Sequence, residues 1–215
     1  MKIQILLDKN SWAINYKNQF KLCFKEISKK IHVIDNHSKI KKNNTICVIF
    51  SYFKKIPKIY LNRSKYNLIC HESNLPKGRG MSPITWQILN GKQNFIFSLI
   101  EASEKIDNGK IYFKKKVKIK KNYLFGEIKK IQFENNIKLI LRFSKYLKKN
   151  NKPPKALDQK GKPTYYKLRN SKDSKININK SIKSQFNLIR SADSDKYPVY
   201  FYMKNRKFFL RITTK

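Results

Sequence analysis

Two stretches of this chain hold the residue types that general acid–base chemistry needs. The first is His71-Glu-Ser-Asn-Leu-Pro-Lys-Gly-Arg-Gly-Met-Ser-Pro83; the second is Lys105-Ile-Asp-Asn-Gly-Lys110. Residues 71–107 contain three of the six glycines and two of the seven prolines. Such backbone must take positive φ or let a ligand approach, and proline cannot continue a hydrogen-bonded ladder. A histidine and an aspartate at the ends of neighbouring strands can pair. The carboxylate then orients the imidazole and stabilises its cation, which suits general acid–base work on a polar substrate. Spacing alone leaves a second reading open, because a lone histidine at a strand end is often structural and Asp-Asn-Gly is an ordinary turn sequence.

The elements around these residues give them their places. Lys2 to Leu7 alternates like a strand, and Trp12 to Lys30 reads as a helix with Phe20, Cys23, Phe24 and Ile27 on one face. Ile31 to Ile34 is a short strand. Thr45 to Phe50 is almost wholly apolar, as a central parallel strand should be. Ile56 to Leu61 is a short helix or turn. Asn67 to Cys70 is the next strand, which sets His71 at its C-terminal end, where open α/β sheets place ligands. Ile84 to Gly91 reads as one or two helical turns, Gln93 to Ile100 as a strand, and Lys110 to Ile119 as a lysine-bearing edge strand. Tyr123 to Lys149 is a long amphipathic helix. A polar connection over 150–163 leads to a tail with a helix near Ser181 to Ser191 and a hairpin over Tyr197 to Ile212, turning at Lys204-Asn-Arg206. The pattern predicts a mostly parallel α/β sheet flanked by helices, with residues 1–150 as the catalytic domain and 151–215 as a small α+β extension packed on it. There is no G-x-G-x-x-G dinucleotide fingerprint.

Composition narrows the class. With 40% hydrophobic residues in 215, the chain can bury a core. Its three cysteines lie far apart in apolar runs and suggest buried thiols, not disulfides or a metal site. No run reaches the ~18 apolar residues of a membrane span, and the N-terminal run reads as a first strand, which predicts a cytoplasmic protein. The net charge of +37 would ordinarily point to nucleic acid. Here the lysines are spread along the chain beside abundant Ile, Asn, Tyr and Phe, so codon bias and a solvated surface account for much of it. His37 reads as a solvated loop residue, Trp86 as core and Glu72 as a solvated loop residue.

Taken together, His71 to Gly91 and Ile106-Asp-Asn-Gly-Lys-Ile111 resemble the formyltransferase family, in which H-x-S-x-L-P-x-x-R-G-x-x-P is followed by D-x-G-D-I. The likeness spans roughly Thr45 to Ile119. The tail segment Gly161 to Arg169, with Ser174 and Ile189 to Asp193, is similar to the region after the core in sugar formyltransferases. The resemblance implies a Rossmann-like fold and transfer of a formyl group from 10-formyltetrahydrofolate to an amine, without a metal. It implies that His71 sits beside the developing oxyanion and that Asp107 orients His71 and helps remove the amine proton. The folate would lie by Ser51, Tyr52 and Phe53, by Arg79, Gly80 and Met81 beside Ser73, and by Glu101, Ala102 and Lys105. Tyr166 and Arg169, with Tyr165 and Arg190, could serve sugar or phosphate, or simply pack.

This chain departs from the pattern in two places. The family's asparagine two positions before the histidine is Ile69 here, and the last Asp of D-x-G-D is Lys110. Asn67 lies a further same-face step back, about 6–7 Å along the strand and too far to serve, and Asn74 in the loop is a candidate stand-in that no motif supports. The expected acceptor is a 3- or 4-amino deoxysugar, carried on a nucleotide, because the chain has no room after its long helix for the barrel that methionyl-tRNA formyltransferases carry. A methionyl-tRNA formyltransferase-like enzyme is the alternative. An inactive relative and a basic nucleic-acid-binding module are further ones, the last disfavoured by the lack of a concentrated Lys/Arg block interleaved with aromatics. A homodimer through the tail is left open.

Overall fold

The computed structural model describes residues 1–214. Its centre is a six-stranded sheet of β1 (Lys2–Leu7), β2 (Lys30–Ile34), β3 (Asn44–Phe50), β4 (Ser64–His71), β6 (Asn94–Glu101) and β7 (Ile111–Lys118), in the order β2-β1-β3-β4-β6-β7. The first four are mutually parallel. β6 runs against both β4 and β7, so five strands point one way and β6 alone is reversed. The sequence expectation of a mostly parallel sheet holds, with β6 the one reversed strand.

Strand alternation explains where the core sits. Ile3, Ile5, Leu7, Val48, Phe50 and Leu68 face a layer built from α1 (Lys17–Phe24) and α4 (Phe125–Asn150), where Phe20, Phe24, Phe133, Ile137, Ile140 and Phe143 are buried. Burying each phenyl ring is worth roughly 2–3 kcal/mol. Leu6, Cys47 and Ile49 face the other side, with Ile40 and Leu61 at the end of α2 (Lys58–Leu61). On β4, Tyr66 and Leu68 belong to the α1/α4 layer, so Asn67, Ile69 and His71 point the opposite way.

Three expectations change. The helix predicted over Trp12 to Lys30 is a 3₁₀ turn at Trp12–Tyr16, begun by the Ser11 hydroxyl accepting from Ala13 N, followed by α1, which ends at Phe24. Ser28 terminates the excursion by bonding Met1 O and Lys30. The connection after α4 is tied down: Leu157 pairs with Ile111 at 2.7 and 2.9 Å. Beyond it, β8 (Tyr165–Tyr166) adds in parallel to β5 (Arg79–Gly80), so the tail docks on the Gly-Arg-Gly loop. Then come α5 (Ile182–Ser191) and the hairpin β9 (Val199–Met203) and β10 (Arg206–Leu210), whose turn residues Lys204 and Asn205 have φ of 46° and 60°. Among the described residues no helix is long and apolar enough to cross a membrane, and the three cysteines are free.

Candidate active site

β4 ends at His71, and the chain then folds back through residues 72–83 into α3 (Pro83–Leu89). The fold-back places Gly78 O 2.7 Å from His71 Nε2. A carbonyl only accepts, so Nε2 carries a hydrogen and donates it. The other ring nitrogen, Nδ1, lies 3.5 Å from Asp107 Oδ2, with both side chains at least nine-tenths buried. Asp107 sits in the left-handed region at φ 49°, and the same Oδ2 accepts from Gly80 N at 2.8 Å. The predicted pair therefore forms. Both imidazole nitrogens are engaged, Nε2 by the Gly78 carbonyl and Nδ1 facing the carboxylate.

Close backbone approaches build this corner. A Cβ on Gly109 would fall 1.6 Å from Glu101 O, and one on Gly80 would fall 2.3 Å from Tyr166 O. Thr164 O accepts from Arg79 N at 2.9 Å, Thr164 Oγ1 from Gly78 N at 2.8 Å, and Tyr166 O from Met81 N at 3.1 Å. Arg79 is buried, and its Nε and Nη2 both donate to Gln159 Oε1, at 3.2 and 2.7 Å. The amide nitrogen of Gln159 donates to Asp107 O and Gly109 O at 2.7 and 2.9 Å. Gln159 had no signal in the sequence beyond polarity in a polar connection.

The oxyanion donor is the open question. Ile69 is packed among Ile49, Leu61, Leu75 and Ile100 and offers nothing polar. Asn67 Nδ2 is turned back to Leu61 O at 3.0 Å, and Asn74 Oδ1 accepts from Lys114 Nζ at 2.7 Å on the rim. Among the described residues the buried side-chain polar atoms without a partner are Asn67 Oδ1, Asn136 Oδ1 and Ser73 Oγ. Only Ser73 can donate. Its Cβ packs against Gly78, next to the carbonyl that holds His71. An uncommitted buried donor at this point fits a polar ligand there.

The other expected contacts are mixed. Tyr52 and Ala102 join Ile69 in one apolar cluster, which brings the 51–53 loop to the start of the 102–107 loop. Ser51 holds a left-handed backbone (φ 50°), Phe53 is exposed, and Lys105 is exposed. Glu101 is turned inward: Asn67 N donates to Oε1 at 2.7 Å and Tyr112 OH to Oε2 at 2.8 Å. Burial pushes its carboxyl up to about 7 against those two bonds. Tyr166 stacks on Trp86 (6.5 Å, 13°), and the Arg169 guanidinium lies 5.2 Å over the same indole. Trp86 is thus half-buried and clasps the tail, donating to Lys167 O at 2.9 Å, instead of filling the core.

Two polar residues read as surface or ligand groups, Glu72 and Arg190, are internal. Glu72 continues the face of Leu68 and Cys70 toward α4, its Oε1 accepting from Gln132 and Asn136 at 2.8 and 2.7 Å. His37 is partly exposed at the start of a 3₁₀ turn (His37–Lys39), with its Nδ1 2.9 Å from Tyr52 OH and its ring 4.8 Å from Tyr60. Arg190 is buried and donates to Lys120 O and Tyr123 O, which pins α5 to the start of α4 and leaves it out of reach of a phosphate. A groove of about 1240 Å³ lies elsewhere, lined by Trp12, Tyr16, Lys129, Phe133 and Asp193. It touches neither His71 nor Asp107, and the chemistry of the residues weighs more than its size.

Comparison with known proteins follows this geometry. The profile of the family described as formyl transferase matches residues 17–142, more than half of the chain. A methionyl-tRNA formyltransferase of Clostridium acetobutylicum is 31% identical over 186 residues, 85% of this chain and 57% of that one. The chain spans about half the length of the curated relatives it matches. Among solved structures, a methionyl-tRNA formyltransferase from Clostridium thermocellum has a TM-score of 0.78 at 22% identity, covering 100% of this chain and 94% of that one. HypX from Aquifex aeolicus in complex with tetrahydrofolic acid gives 0.79 at 15% identity, over 99% and 37%. A 4-N formyltransferase from Francisella tularensis gives 0.68 at 18% identity, over 100% and 98%.

Proposed function

Because this chain belongs to the formyl transferase family, we propose that it transfers a formyl group from 10-formyltetrahydrofolate to a primary amine carried by a nucleotide-linked amino-deoxysugar. The observation that carries the reading is the buried His71–Asp107 pair at the end of β4, inside the matched residues. Residues 151–215 act in it as an extension of the catalytic unit 1–150, through the docking of Tyr165 and Tyr166 on the Gly-Arg-Gly loop.

Ser51–Phe53, Arg79–Met81 and Ala102–Lys105 would hold the folate, which would supply the formyl carbon: the amine's bond to that carbon forms, the carbon's bond to the folate nitrogen breaks, and tetrahydrofolate leaves carrying the proton the amine sheds. The amine must shed a proton as its bond to carbon forms. Asp107 Oδ2 and His71 Nδ1 face one another at 3.5 Å and accept that proton as a unit. Negative charge growing on the formyl oxygen needs fixed donors. A protonated His71 ring supplies charge, and the uncommitted Ser73 hydroxyl supplies the donor that Ile69 lacks. Gly80 N holds the Asp107 carboxylate against drift.

The sugar is supported by a full-length fold match to a sugar N-formyltransferase from Shewanella sp. and by the tail segment lying against the loop. A second reading has its own observation: the curated relatives are methionyl-tRNA formyltransferases, and a charge of +37 attracts phosphate backbones. The test is turnover with 10-formyltetrahydrofolate on a panel of nucleotide-linked 3- and 4-amino sugars beside charged initiator tRNA. Formylation of one sugar and not the tRNA supports the first reading; the reverse overturns it in favour of the second.

A further inference from the structure

Gln159 lies outside the residues that the family profile matches, in the connection after α4. Its carboxamide is nevertheless bonded to both halves of the site. The oxygen accepts twice from the buried Arg79 guanidinium, and the nitrogen donates to the carbonyls of Asp107 and Gly109. Its place is set by the Leu157–Ile111 bridge two residues earlier. The turn it grips carries Asp107 at positive φ, a conformation that a non-glycine residue holds only when its surroundings impose it. Asp107 must also aim one oxygen at both Gly80 N and His71 Nδ1.

We propose that Gln159 is a positioning residue: it clamps the 107–109 turn against the Arg79 loop and so holds the Asp107 carboxylate at the His71 ring. The inference rests on the formyl-transfer reading for its kinetic consequence. The geometric consequence, the state of the His71 ring, stands apart from it. The competing role is to satisfy Arg79 alone, since among the described residues that buried cation's side-chain partners are Gln159 and, at 3.4 Å, the Tyr165 hydroxyl.

Gln159→Glu separates the two roles. A carboxylate keeps, and strengthens, the acceptor for Arg79, but turns an oxygen toward two carbonyls that need a donor. Once protonated, the same group donates again. The variant should melt like the parent, bind a folate analogue with unchanged affinity, and lose at least about tenfold in kcat at pH 8, as expected for a displaced catalytic group. It should regain rate relative to the parent as the pH falls. The ring ¹⁵N signals of His71, one of three histidines, should shift in the variant at pH 8 and return toward the parent's at lower pH. Gln159→Asn, one methylene short, should give the rate loss and the ring shift without the recovery at low pH, and it serves if the first variant does not fold. A folded Gln159→Glu or Gln159→Asn with the parent's pH profile and parent-like His71 signals would overturn the inference. If the parent transfers no formyl group, the transfer reading fails, and the His71 signals alone still decide whether Gln159 sets the pair.

Discussion

Replacing Glu101 by glutamine should change how stability depends on pH, and the structure gives the size. Glu101 is half-buried at the end of β6, with its oxygens bonded to Asn67 N and Tyr112 OH. Burial is the largest influence on it and lifts its carboxyl from 4.5 to about 7, with the two donors pulling the other way. A raised carboxyl holds its proton in the folded chain where the unfolded chain has released it. Its contribution is therefore fully present below pH 4.5 and is lost as the pH rises through about 7. Across that interval the change is about 3 kcal/mol. Glutamine can accept from Asn67 N and donate to Tyr112 O without ionising, so Glu101→Gln should be nearly neutral at pH 4.5. At pH 8 it should be more stable than the parent by up to about 3 kcal/mol. Urea denaturation at pH 4.5, 6 and 8, read as the difference between variant and parent, removes the contribution of every other titrating group. A difference that stays flat across the three pH values would refute the assignment of Glu101 as a buried carboxyl.

Two further outcomes follow from the loop. Gly80→Ala places a Cβ on Tyr166 O at φ 97°, so the β5–β8 contact must open; denaturation should show a loss of about 3 kcal/mol from backbone strain and lost hydrogen bonds. Ser73→Ala removes a hydroxyl with no partner, so melting should be unchanged or slightly improved, while kcat falls about tenfold or more with little change in KM, as for a donor used mainly in the transition state.

Much of this was readable from residue pattern. Apolar alternation marked β1, short continuous apolar runs marked β3 and β4, and the run of Ile and Phe at helical spacing marked α4, because each reflects burial on one or two faces. His71 and Asp107 were found because the glycines and prolines around them are backbone signals. What escaped was set by long-range contact. Nothing local marks Tyr165 and Tyr166 as a strand, since two residues pair only because the Gly-Arg-Gly loop offers an edge. Glu72 looked solvated because its partners, Gln132 and Asn136, lie sixty and sixty-four residues away on the helix that covers it. Gln159 escaped for the same reason, at a separation of fifty residues from Gly109 and eighty from Arg79. The lysine-spaced aromatics of the final hairpin also proved more concentrated in space than in sequence: Lys207 lies over Tyr200 and Phe209, and Lys175 over Tyr202.

The most direct test of the account is single-turnover formyl transfer from 10-formyltetrahydrofolate to an amino sugar the parent accepts, run beside His71→Asn and Asp107→Asn. All three should bind a folate analogue; Asp107→Asn should melt within a few degrees of the parent because asparagine keeps the shape of aspartate, and His71→Asn should melt lower because Gly78 O loses its donor. The parent should formylate, and both variants should lose about a hundredfold or more of the rate, in keeping with general acid–base catalysis. Transfer at the parent's rate by either folded variant would contradict the claim that the buried pair at the end of β4 carries the reaction.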